Sequence, residues 1–387
     1  MASKYLAKSF ADRSSDLAFF MLRPAIEAWM RVVAKRTVVQ GPGVDFRRRE
    51  PFVLLANHSF ALDVVHVPMP FRITPQIVAS RDMFVHPFDR FALTYVARCI
   101  MAPKGGGDVR TVKELVRAVD TGYPVLLFPE GDISFFGRST ALPKSTAMLV
   151  RKLGLDVITC RVAGGCLSSP RWAKAPRGNR AIKLSYELAV TAEQAAALSL
   201  GELHEAMAAR LSHDEYAVQR EAMVSHPSPR GAEGLEDALY VCPACRGIAC
   251  LEASGNELRC GTCGATGTLD DYGFIHGFAY DNPADWDAFQ RGFTEELRSS
   301  SFSSTGTLFI NDYSALRQTR VGEVSVQHEA GTLVFAGALE QTFDVATLDD
   351  VVLTMRSSLN FSHDGVDYLL RLDRLALAFL RCCQDRY

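Results

Sequence analysis

Compact apolar runs alternate with helix-periodic stretches through the first half of the chain. Residues 52–55, 76–79, 100–102, 125–128, 156–161 and 181–188 have the length and composition of buried strands. Between them, 88–96, 108–120, 143–153 and 192–211 repeat apolar positions at helical spacing; Val109, Val112, Leu115, Val116 and Val119 share one face. Strands alternating with helices predict an α/β sheet flanked by helices. A helical pattern also opens the chain, from Leu17 through Ile26, Trp29, Met30 and Val33, with Arg23, Glu27, Arg31, Lys35 and Arg36 interleaved. Such a helix either lies in a membrane interface or packs on its own domain, and Pro24 predicts a break or kink in it.

The period changes after Gly306. Residues 308–310, 321–326, 332–335, 341–343, 351–355, 359–362 and 368–372 are short strands with turns at Gly331, Gly337 and Asp364-Gly365, and 376–384 is a closing amphipathic helix. This predicts a β-rich, barrel-like domain that resembles pleckstrin-homology or GRAM domains in topology only. A helix over 285–297, with Trp286, Phe289 and Phe293 on one face, precedes it. The breaker-rich run 226–234 marks a boundary. The expected organisation is therefore an N-terminal amphipathic segment (1–36), an α/β domain (37–225), a linker (226–239), a cysteine-bearing module (240–275) and the β-rich domain (300–387).

Composition narrows the classes. The 387 residues, 48% of them hydrophobic, suffice for two or three domains with a large core. Lys plus Arg number 42 against 44 Asp plus Glu, which gives no global field for nucleic acid. No signal peptide is visible and no apolar run nears the ~18 residues that span a bilayer. The expectation is a protein that is soluble or lies peripherally on the cytoplasmic face of a membrane. Of the ten cysteines, Cys242, Cys245, Cys250, Cys260 and Cys263 are clustered, which suits a metal knot in a reducing compartment. Cys242-x2-Cys245 and Cys260-x2-Cys263 carry the spacing of a closed structural zinc ribbon, with strands near Leu251, Leu258 and 266–269. Cys250 is left without a role. A redox dithiol is the alternative, but it lacks a thioredoxin-like context.

The candidate chemistry sits at two strand ends. The run 52–55 leads into Asn57-His58-Ser59-Phe60-Ala61-Leu62-Asp63. Two mid-helix residues five apart point roughly 140° away from each other. His58 in a loop and Asp63 in the first turn of a following helix can meet, which leaves His58 as a general base. The plainer alternative is a buried histidine satisfied by a carboxylate. The run 125–128 leads into Pro129-Glu130-Gly131, which is either a simple turn or a carboxylate placed to bind a hydroxyl-bearing substrate. Lys104 precedes three glycines and offers a charge for a phosphate without matching a Walker loop. The basic loop 169–180, with Trp172, either meets anionic headgroups or donor phosphates or is simply solvated. His204 and His213 read as surface residues.

His58…Asp63, Lys104, Phe128-Pro129-Glu130-Gly131 and the strand 157–162, in this order and spacing, resemble the glycerolipid acyltransferase family over roughly residues 35–200. The resemblance implies transfer of a fatty acyl group from an acyl-CoA or acyl-carrier-protein thioester to a lysophospholipid hydroxyl, with 1-acyl-glycerol-3-phosphate giving phosphatidic acid. It implies His58 as general base, Asp63 as its orienting partner, and Glu130 with Gly131 as the acceptor site. Lys104 takes the place of a phosphate-binding cation. The chemistry needs no metal and no covalent enzyme intermediate. The family continues Pro-Glu-Gly with Thr-Arg-Ser, whereas this chain has Asp132-Ile133-Ser134; Arg138 is the nearest substitute for the missing arginine. That departure keeps open a non-catalytic lipid-binding scaffold whose ribbon and barrel bind partners.

Overall fold

A computed structural model describes residues 8–102 and 109–384. The chain divides into two compact units, Met1–Ser168 with Asn179–Glu221, and Ser169–Gly178 with Ala222–Tyr387.

The first unit is built on a seven-stranded sheet. Its strands are β1 (Lys35–Gln40), β2 (Val53–Ala56), β3 (Gln76–Ser80), β4 (Ile100–Ala102), β5 (Val125–Leu127), β6 (Val157–Ala163) and β7 (Ala181–Val190), in the order β1-β7-β6-β2-β5-β3-β4. Every neighbouring pair is parallel except β6 with β7. Strand β2 lies between β5 and β6 and is wholly buried, because both faces of a mostly parallel sheet are covered. Its side chains alternate between two cores. Val53 and Leu55 pack with Leu115, Val150, Leu203 and Met207 of the covering helices. Leu54 and Ala56 pack with Phe52, Phe71 and Tyr186 on the other face. There Phe46 meets both Phe71 and Tyr186 edge-on.

Two expectations for this unit change. The N-terminal helix runs unbroken from Phe10 to Val33 through Pro24. Tertiary contacts on both sides offset the lost backbone bond. Arg23 donates to the carbonyls of Met69 and Phe71, and Asp16 takes Lys8, Arg98 and the Tyr123 hydroxyl. Conversely, 192–211 is two helices, Ala192–Ala197 and Leu200–Leu211. Thr191 with Gln194 and Ser199 with Glu202 form capping boxes at their starts, which stabilises two N-termini over one continuous helix. Among the described residues no helix is long and apolar enough to cross a membrane.

The second unit holds two antiparallel sheets. Strands β8 (Leu251–Ser254), β9 (Glu257–Cys260), β10 (Thr266–Leu269) and β11 (Ile275–His276) form the small, cysteine-bearing one. Strands β12 (Phe302–Asp312), β13 (Arg317–Glu329), β14 (Thr332–Gly337), β15 (Gln341–Asp344), β16 (Asp349–Thr354), β17 (Ser358–His363) and β18 (Val366–Leu372) form the large one. Its order, β15-β14-β13-β12-β18-β17-β16, is two meanders joined by the β12–β18 pair, a half-barrel closed by the buried helix Ala376–Cys382. The expected helix over 285–297 is Pro283–Gln290, a tighter turn, then Thr294–Ser299.

Two segments whose surroundings the sequence leaves open are packed here. Residues 226–239, expected as a linker, bury Ala232, Leu235, Ala238 and Leu239. The basic loop is also engaged. Trp172 and Arg177 are buried, with the guanidinium 5.3 Å from the indole centre. Lys174 pairs with Glu236 at 2.6 Å and Asp237 at 2.7 Å. Arg171 donates to the Leu353 and Met355 carbonyls of the β16 end. These three cations are neutralised or capped inside the unit, so they are not a patch for headgroups or donor phosphates.

Candidate active site and cysteine centre

Strand β2 delivers the histidine loop, and three devices fix its path. Asn57 extends the sheet with its side chain, donating to the Val162 carbonyl (3.0 Å) and accepting the Val162 amide (2.7 Å). Ser59 Oγ accepts the Cys166 amide at 2.8 Å. Gly165 lies so close that a Cβ there would stand 2.4 Å from Ser59 Oγ. Asp63 opens the short helix Asp63–His66, as its spacing from His58 requires. Its Oδ2 accepts the Ser59 amide (2.5 Å) and the Phe60 amide (3.0 Å) and faces His58 Nδ1 at 3.2 Å. Burial pushes the Asp63 carboxyl up, and His58 and the Phe60 and Ser59 amides pull it back toward the ionised form. An ionised Asp63 holds the proton on Nδ1 and leaves Nε2 as the base. The imidazole stacks on Phe128, centroids 4.3 Å apart.

Strand β5, parallel to β2, delivers Glu130 beside it. The His58 amide donates to Glu130 Oε1 at 3.4 Å, and the Ser134 amide donates to the His58 carbonyl at 2.8 Å. Both sides of the histidine's backbone are thus fastened to the Pro129–Ser134 turn. Gly131 makes the turn at φ +75° with open space around its Cβ position, so its requirement is conformational. Burial pushes the Glu130 carboxyl up to about 7, against the His58 and Thr140 amides and the Ser139 hydroxyl. Its buried Oε2 has no hydrogen bond of sound geometry. A cavity of about 230 Å³ opens at Glu130, with Asn57, Ser139, Thr140 and Ser212 in its wall.

The shift has a stability consequence. The ordinary Glu value here is 4.5 and the folded value is about 7, so between them the folded state holds a proton that the unfolded state has released. Stability therefore falls as pH rises through that window and the penalty is complete above it. Glu130→Gln should raise Tm relative to the parent at pH 8 but not at pH 4. An equal Tm change at both would refute the assignment.

Arg138, the substitute expected for the missing arginine, forms an exposed ion pair with Asp214, Nη2 to Oδ2 2.8 Å, within a β-bridge between the two residues. Lys104 lies outside the described residues. Sequence reasoning missed the clamp behind the site. Ser139 donates to the His213 carbonyl, the Glu215 amide donates to Gly137, and Glu215 Oε1 accepts the Gly164 amide at 2.6 Å. His213 is buried against Glu215 at 3.4 Å and is not a surface residue. Four polar residues in a row between Leu211 and Tyr216, both buried, are the available sign.

The cysteine centre is compact. The Sγ atoms of Cys242, Cys245, Cys260 and Cys263 all lie within 4.8 Å of one another, with Cys242–Cys263 at 3.9 Å and Cys245–Cys260 at 3.7 Å. A tetrahedron with metal–sulfur bonds of ~2.3 Å has edges of about 3.8 Å, so the set fits a four-thiolate metal ion. The Gly247 and Cys263 amides donate to Cys245 and Cys260 sulfur, which favours thiolates. Cys260 is buried, yet the Cys263 and Thr262 amides bring its thiol down to about 6. Cys250 stands 3.5 Å from Cys260 Sγ and donates to the Gly247 carbonyl.

Among solved structures, the chain is similar to the 1-acyl-sn-glycerophosphate (LPA) acyltransferase PlsC from Thermotoga maritima. The identity is 18% and the TM-score 0.41, over 55% of this chain and 84% of that one. The family model described as Acyltransferase matches residues 36–163, the span that holds β1 to β6, His58, Asp63 and Glu130. Residues 36–163 are thus the part of this chain that is similar to the family described as Acyltransferase.

Proposed function

We propose that the protein moves a fatty acyl group from an acyl-CoA or acyl-carrier-protein thioester to the free hydroxyl of a lysophospholipid, of which 1-acyl-glycerol-3-phosphate is the simplest. The observation that carries this is the His58 Nδ1–Asp63 Oδ2 pair, 3.2 Å apart, beside Glu130 on adjacent parallel strand ends. His58 Nε2 takes the acceptor hydroxyl's proton as the oxygen attacks the thioester carbonyl. Asp63 stabilises the imidazolium so formed. Collapse of the tetrahedral intermediate breaks the carbon–sulfur bond, and His58 returns the proton to the leaving thiolate. Glu130 and Gly131 border the acceptor.

A membrane surface is the proposed working place, on its cytoplasmic face. Leu17, Phe20, Met21 and Val32 form an exposed apolar stripe along the N-terminal helix, with Phe20 74% and Val32 85% exposed. Phe88, Phe91 and Tyr95 are exposed on a segment that adjoins it. An apolar strip of this kind marks an interaction surface. The two-meander order of the C-terminal sheet supports the pleckstrin-homology or GRAM-like reading of that domain, and the thiol geometry supports structural zinc in the ribbon.

One experiment addresses donor, acceptor and surface. Purified protein with acyl-CoA and vesicles containing lysophospholipid should release free thiol only when the lysophospholipid is present. It should float with the vesicles, and Phe20→Ser with Met21→Ser should weaken flotation. No thiol release with any lysophospholipid or donor would favour the lipid-binding scaffold; unchanged flotation would remove the helix from the surface.

A further inference from the structure

The cavity beside Glu130 has a composition that selects among acceptors. Its wall is lined by Glu130, Asn57 and the hydroxyl-bearing residues Ser139, Thr140 and Ser212. Leu142, just before the helix Lys144–Leu153, and Ala208 and Leu211, at the end of the helix Leu200–Leu211, supply the apolar part of the lining. Among the described residues that line it there is no Lys, Arg or His. The nearby Arg138 is held by Asp214, and Asp132 follows the turn where the family has a threonine.

Each candidate occupant meets this wall differently. A phosphate monoester would meet no cation among the described wall residues, and above about pH 7, where Glu130 ionises, it would meet a negative charge as well. A methylene chain would strip water from a carboxyl and several hydroxyls without replacing their hydrogen bonds, which costs roughly 1–3 kcal/mol per group. A polyol satisfies both faces. Its hydroxyls exchange bonds with Glu130, Ser139, Thr140 and Ser212, and its carbon edge rests on Ala208 and Leu211. The volume, about 230 Å³, is that of several waters at ~30 Å³ each, enough for a small polyol. Glu130 connects the two places, since its Oε1 takes the His58 amide and the residue also lines the cavity.

We infer that this cavity is a headgroup subsite for an uncharged polyol, so that the preferred acceptor is a lysophospholipid whose phosphate is esterified to glycerol or inositol, with Ser139, Thr140 and Ser212 as specificity-determining residues. The inference rests on the acyl-transfer reading. The reacting hydroxyl, on the lysolipid's own glycerol backbone, sits at His58 while the headgroup polyol reaches past Glu130.

The test compares initial rates of the full-length protein on lysophosphatidylglycerol, lysophosphatidylethanolamine and lysophosphatidate, presented in the same vesicles with one acyl-CoA. The polyol acceptor should show kcat/KM at least about tenfold above the other two. Ala208→Leu, which fills the cavity, should abolish that advantage by bringing kcat/KM for lysophosphatidylglycerol down to that for lysophosphatidylethanolamine, with circular dichroism unchanged. Ser212→Ala, the milder change, should reduce the same preference if Ala208→Leu fails to fold. A preference for lysophosphatidate overturns the inference. So does a shift of Ala208→Leu toward shorter acyl donors with headgroup preference intact, which would make the cavity an acyl-chain pocket. Both of those leave acyl transfer standing, whereas no thiol release with any acceptor removes the acyl-transfer reading and the inference with it.

Discussion

His58→Ala should lower acyl transfer by at least about 10²–10⁴-fold while the protein keeps its fold and its metal content. The magnitude is that of a general base removed from a reaction that needs proton transfer in its rate-determining barrier. The structural cost should be small, because the loop is held by Asn57, Ser59 and the His58 backbone, none of which the substitution removes. Asp63 would lose one partner and keep the Ser59 and Phe60 amides. Thiol release from acyl-CoA in the presence of lysophospholipid, measured beside zinc content and circular dichroism, checks this. Undiminished turnover in a folded variant would eliminate His58 as the base and return it to a structural role beside a buried carboxylate.

Removing the metal should unfold the cysteine-bearing segment. Structural zinc bound by four thiolates contributes apparent binding free energies of ~10–16 kcal/mol in small peptides at neutral pH. That is as large as the whole stability of a typical domain, ~5–15 kcal/mol. The strands it would hold, β8 to β11, are two to four residues long and have little apolar area of their own. Atomic emission should find one zinc per chain in the parent and none in Cys260→Ser. Chelation should remove amide hydrogen-exchange protection from Leu251–Ser254 and Glu257–Cys260, with protection in β2 and β5 unchanged. Retained protection in metal-free protein would show that Leu251, Leu258 and Leu269, all buried, hold the segment alone.

What could be read from the sequence follows the distance between partners along the chain. His58 and Asp63 are five residues apart at a strand end, so local geometry predicts their meeting. The strands β12 to β18 are legible because each is an alternating run closed by a turn, although β12 and β13, at 11 and 13 residues, extend well beyond the expected 308–310 and 321–326. The meeting of the four cysteines is legible because the doubled Cys-x2-Cys spacing brings two thiols together at each turn. The partners of Arg138, Lys174 and Arg171 lie 76, 62 and 182 residues away, and nothing in the flanking residues reports them. A basic, Pro- and Gly-rich run looks the same whether its cations face water or distant carboxylates. The split helix is a different failure. Ser199-x2-Glu202 is a local capping signature, and it was outweighed by a high content of alanine.

The segment Ser169–Gly178 has a consequence for how the molecule is made. It leaves the first unit between β6 and β7, yet the residues that bury Trp172 and neutralise Lys174 are drawn from Ala222 onward. On the ribosome, β7 emerges and completes its sheet well before Glu236 and Asp237 are synthesised. At ~5–20 residues per second the decapeptide waits for several seconds as an open loop with its indole and guanidinia in water. Any piece of this chain that ends near residue 221 carries the same exposed loop permanently. An isolated fragment of the first unit would therefore be a sticky one, and a version that stays in solution would need the loop shortened or its Trp172 replaced.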